Sequence, residues 1–135
     1  MNYHDIRSLL DTQLQTVSDL PSLQTENSRL ELIGNKKTPW VRSTLLPAEP
    51  VDLNVGHIGK VSYRGLYQVD LMYPMGASAA DANAMAAEVT DALPRGYMQT
   101  IGTGILQIDM SWQEAASIMD TWYVVPVVVR WVVYA

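Results

Sequence analysis

Polar and apolar residues alternate most regularly between Tyr63 and Gly76, where Tyr63, Tyr67, Val69, Leu71 and Tyr73 fall on one face and Arg64, Gln68 and Asp70 on the other. A period of two marks a half-buried strand. Pro74 cannot donate the next ladder hydrogen bond and Gly76 accommodates a tight turn, so this central strand ends there and hands the chain to a helix. Upstream, Ile6, Leu9, Leu10, Leu14 and Val17 recur at helical spacing, which predicts an amphipathic first helix over Tyr3 to Val17, with Asp5 in its first turn. Past Pro21 the chain is polar and mixed, with a short strand expected at Leu30 to Ile33 before the turn-like Gly34-Asn35-Lys36-Lys37. A further strand is read at Trp40 to Leu46, stopped by Pro47 and Pro50.

The segment Ala48 to Lys60 separates that strand from the central one and carries Gly56 and Gly59 together with Leu53, Val55 and Ile58. Hairpin connections usually take about two to five residues, so a loop of this length has a purpose or no fixed shape. Its aliphatic content suits an arm laid on a neighbouring subunit, or a loop folded back on its own domain. After Gly76, Ser78 and Asp81 form a capping-box-like start to an alanine-rich helix over Ala79 to Leu93, with Met85, Ala86, Val89, Ala92 and Leu93 as its apolar stripe. Pro94 and Gly96 end it. Ile105 to Met110 alternates as a strand, and Trp122 to Tyr134 is apolar on both faces, which predicts a last strand covered on both sides, by a helix and a second layer or by another protomer. The elements sum to one α+β domain over residues 1–135: a mainly antiparallel sheet with two helices packed on it and a long loop between the second and central strands.

Composition removes several kinds of chemistry. The chain has no cysteine, so thiolate metal sites and thiol nucleophiles are excluded. A net charge of −5 over 135 residues opposes an electrostatic grip on nucleic acid. No secretory pattern opens the chain, and the apolar run Trp122 to Ala135 is too short for a bilayer and is broken by Pro126 and Arg130, so a soluble protein is expected. His4 and His57 lie far apart in sequence, which makes a shared metal site a matter of chance. Gly56-His57-Ile58-Gly59-Lys60 imitates both a KH-type GxxG and the end of a P-loop. It stands between strands, however, with Asn54 in place of the first P-loop glycine and Val61 in place of the magnesium-binding hydroxyl. Gly102-Thr103-Gly104 lacks the third glycine of a dinucleotide loop, and no serine stands in a nucleophile elbow. No catalytic, cofactor or metal site is expected. Trp40, Trp112, Trp122 and Trp131, with seven tyrosines and no phenylalanine, form an amphipathic aromatic set suited to core or to interface.

Taken together, the run from Trp40 to Pro50, the phrase Gly65-Leu66-Tyr67-Gln68-Val69-Asp70-Leu71-Met72-Tyr73-Pro74-Met75-Gly76, and an alanine-rich helix closing in Leu93-Pro94 resemble the tail terminator-like proteins of long-tailed bacteriophages. The resemblance implies a noncatalytic virion protein, assembled in the host cytoplasm, that closes into a hexameric ring on the head-proximal end of the tail tube. There it would halt tube polymerisation and offer a surface to head-completion proteins. Its implied partners are other copies of itself, the tail tube protein and the head-completion or neck protein, with no membrane. The acidic balance would let DNA pass the ring's lumen without specific binding. The residues picked out for the subunit contact are Leu53, Val55, His57 and Ile58 in the loop, with Arg42 and Arg64 as ion-pair donors. A head-completion or neck protein of the same particle is the nearest alternative, and a small enzyme without a recognisable motif a more distant one.

Overall fold

The computed structural model describes residues 2–25, 38–52, 61–76 and 79–134. Two helices, α1 (Tyr3–Leu14) and α2 (Ala79–Ala92), lie on one side of a curled mixed sheet. Its strands are β1 (Ser22–Thr25), β2 (Trp40–Pro47), β3 (Val51–Asp52), β4 (Val61–Pro74), β5 (Met98–Ile101), β6 (Gly104–Gln113), β7 (Ser117–Met119) and β8 (Trp122–Tyr134). They run in the order β1-β2-β4-β8-β6-β5, with β3 beside β4 and β7 beside β8. β1 is parallel to β2, and the other pairs are antiparallel.

The centre is the pair β4 and β8, matched from Ser62 opposite Tyr134 to Pro74 opposite Trp122. Odd-numbered residues of both strands face the helices. Tyr67, Val69, Leu71 and Tyr73 meet Val125, Val127, Val129, Trp131 and Val133 there, beneath Ile6, Leu10 and Leu14 of α1 and Ala82, Met85, Ala86 and Val89 of α2. The alanines keep α2 close to the sheet, and Gly76, at φ 91°, supplies the left-handed turn that ends β4. The expected start of this helix at Ser78, and the expected strand at Leu30 to Ile33, lie outside the described residues.

Two strands are interrupted rather than stopped. β2 runs through Pro47 and the chain rejoins β4 as β3, held between them by the Ala48 N–H donating to the Arg64 carbonyl at 2.8 Å. Part of the expected loop is therefore a short strand. β6 likewise leaves β8 after Gln113 and returns as β7, bridged by the Glu114 N–H to the Pro126 carbonyl at 2.9 Å. Proline at 126 costs no ladder bond where its strand partner already bulges away.

One buried polar contact ties the first helix to the centre. The Tyr67 hydroxyl donates to the Asp11 carboxylate from a fully buried position. Burial first, and the Asp11 charge second, push the Tyr67 phenol well above its usual value. Tyr73 is also raised, by burial and then by Asp81 and Glu88. A phenol whose folded pKa lies above its unfolded value of about 10 stabilises fully below that pH and loses this as pH rises beyond it. Tyr67→Phe should therefore lower stability by about 1–2 kcal/mol at neutral pH and flatten the alkaline loss above about pH 10, read from urea midpoints across pH.

Candidate functional site

The face of the sheet away from the helices carries no helix among the described residues, and its rows of side chains follow from the register. At one end Trp40, Met72 and Val124 form a small second cluster with Trp122, whose ring meets Trp40 edge-on at 6.0 Å. Next come Arg42, Asp70 and Pro126, then Thr44, Gln68, Val128 and Trp112. Beyond them lie Leu46, Leu66, Arg130 and Met110; then Arg64, Val132, Gln107 and Met98; and last Ser62, Tyr134, Ile105 and Thr100. A register shift at Asp109 makes this possible. Leu106 and Ile108 point to the helices, whereas the shift turns Met110 and Trp112 to the open face.

The two halves of this face differ. In the first, Asp70 is 4% exposed and accepts from Arg42 Nη2 at 3.0 Å and Nε at 3.3 Å, and from Gln68 Nε2 at 2.8 Å. Gln68 and Asp70 of the recognised phrase thus form a polar clamp across β2 and β4. In the second half Leu46 is 44% exposed, Ile105 47% and Met98 57%, with Met110 and Tyr134 also open. A depression of about 460 Å³ lies there, lined by Arg64, Leu66, Asp109, Arg130 and Tyr134 among others. Arg130 approaches Asp109 at 3.9 Å, a solvent-exposed contact that contributes little.

Of the residues picked out from sequence, Arg42 and Arg64 lie on this one face, 22 positions apart in the chain and three rows apart in space. Arg42 is engaged within the chain by Asp70, whereas Arg64 is exposed at the rim of the depression. Leu53, Val55, His57 and Ile58 lie outside the described residues. Sequence reading missed Leu46, Leu66, Arg130 and Met110. Arg130 was legible as the one charge in an otherwise apolar strand. The even-numbered valines of β8 are buried with no second layer over them among the described residues: Val128 lies between Gln68 and Trp112, and Val132 between Arg64 and Gln107. Long side chains on flanking strands cover them. Among the described residues no group of three His, Cys, Asp or Glu could hold a metal ion, and no helix is long and apolar enough to cross a membrane.

The family model of phage tail terminator proteins matches residues 5–131, which spans every element from α1 into β8. The chain belongs to the phage tail terminator family. It is accordingly a structural component of a phage tail, working in contact with other tail components. A solved structure known by a serial designation superposes with a TM-score of 0.73 at 17% identity, covering 98% of this chain and 96% of that one. At that identity the likeness concerns the fold. No curated protein matches the chain.

Proposed function

We propose that this tail terminator closes into a ring, most simply a hexamer, on the head-proximal end of the tail tube. There it stops tube growth and presents its other side to the head-completion protein. The carrying observation is the family match over residues 5–131. The open sheet face supports it physically: exposed Leu46, Met98, Ile105, Met110 and Tyr134 share one half of it with a shallow depression, and among the described residues no three His, Cys, Asp or Glu converge there, which fits a contact surface. The role is structural and noncatalytic, and DNA passes the lumen without specific binding. Ring closure needs heterologous contacts, in which one surface of each copy meets a different surface of the next. Termination then follows from mismatch, one ring face imitating the tube's docking surface and the other unable to template a further tube ring.

The test is electron microscopy of tail tube protein polymerised with and without the purified terminator. Rings at tube ends and a shortened length distribution are expected. Tubes of unchanged length with bare ends would reject the reading, and rings on portal assemblies instead would favour a head-completion or neck protein.

A further inference from the structure

We infer that the open half of the sheet face is one side of the subunit contact, and that its occupant is the outer face of α2 from a second copy of this chain. The inference rests on the ring reading above and says which surfaces meet.

The argument is one of charge and shape. Arginines gather on the helix-free side: Arg64 and Arg130 flank the depression, and Arg42 sits two rows from Arg130, already neutralised by Asp70. Asp109 shares the depression but touches Arg130 at just 3.9 Å, which leaves most of both guanidinium groups open to a partner. On the opposite side of the molecule, the outer face of α2 is acidic. Asp81, Glu88 and Asp91 are exposed along α2, and the helix has no Lys or Arg. Spacings of three to four residues put Asp81, Ala84, Glu88 and Asp91 on one stripe, with Ala87 beside it. Small residues between the acids let this helix approach a flat apolar surface closely, and Leu46, Leu66 and Met110 supply one.

The two surfaces lie on opposite sides of the sheet, so pairing them joins copies front to back. No copy can satisfy itself this way, and successive copies repeat the same step. That is the heterologous contact a ring requires.

A charge swap tests it. One variant carries Arg64→Glu with Arg130→Glu, the other Glu88→Lys with Asp91→Lys. All four positions are exposed, and an unchanged far-ultraviolet spectrum and melting temperature of the monomer verify folding. Each variant by itself opposes like charges at every junction. An equimolar mixture restores opposite charges at every junction if the two proteins alternate. By sedimentation velocity and native mass spectrometry, wild type should assemble, with a midpoint that rises with salt. Each variant by itself should need about tenfold more protein or stay monomeric, and the mixture should recover rings holding both proteins in equal number.

Rings from wild type and equally from each variant by itself would overturn the assignment of surfaces and leave the ring reading standing. Variants that fail separately and also fail when mixed would do the same. Normal rings that no longer cap tail tubes would overturn it too, by giving this face to the tube protein. Wild type that stays monomeric both in isolation and on tube ends would overturn the ring reading itself.

Discussion

Gly65→Ala is expected to destabilise the protein by about 3 kcal/mol, lowering its melting temperature by roughly 10 °C. Replacing glycine by alanine inside a strand ordinarily helps by about 0.5–1 kcal/mol, because the unfolded chain loses freedom. Here contact overrides that gain. A Cβ at Gly65 would lie 2.8 Å from Cζ2 of Trp131 and 2.9 Å from the Pro47 Cα, and closer still to the Leu46 carbonyl oxygen. Trp131, directly opposite in β8 and fully buried, occupies the space that a side chain at Gly65 would need. Two of the three nearest atoms belong to the backbone of β2, so trimming the tryptophan cannot relieve the overlap. Urea denaturation of Gly65→Ala, and of Gly65→Ala combined with Trp131→Leu, checks both points. A midpoint at or above wild type for Gly65→Ala would refute the close approach, and recovery in the double variant would refute the role of the β2 backbone.

The glycine that opens the recognised phrase shows what sequence could and could not disclose. Its place in the phrase marked it, but the reason lies in a residue 66 positions later that reaches it through sheet pairing. Elements whose own period carries the signal were legible: β4, β8 and α2 fall within a few residues of where alternation and helical spacing put them. The first helix ends at Leu14, three residues early, and Val17 still packs against the core from the turn that follows. Short strands were not legible. β1, β3, β5 and β7 have two to four residues each, too few for a period to show, and they exist because a longer neighbour offers an unpaired edge. The open face was hidden for a related reason. Leu46, Leu66, Arg130 and Met110 come from four strands, and the register shift at Asp109 changes which residues of β6 point there.

Arg42→Met should destabilise by about 3 kcal/mol, more than Asp70→Leu at about 2 kcal/mol, because the two partners are unequally buried. The Asp70 side chain is 5% exposed and that of Arg42 29%. Removing the guanidinium strands a nearly buried carboxylate with Gln68 as its remaining neighbour, whereas removing the carboxylate leaves a cation that can turn partly to water. Replacing both by apolar side chains of similar volume should cost less than Arg42→Met by itself, a coupling of more than about 2 kcal/mol in a double-mutant cycle. Equal single effects would refute the argument from unequal burial, and additive ones would show that the clamp contributes little. The same double variant separates the two halves of the open face. Arg42 spends its charge within the chain, so Arg42→Met with Asp70→Leu should assemble at the wild-type midpoint while reversal of Arg64 and Arg130 blocks assembly. Loss of rings in the uncharged double variant would move the subunit contact up the sheet towards Trp40, and give Arg42 the intersubunit role that its in-chain partner now occupies.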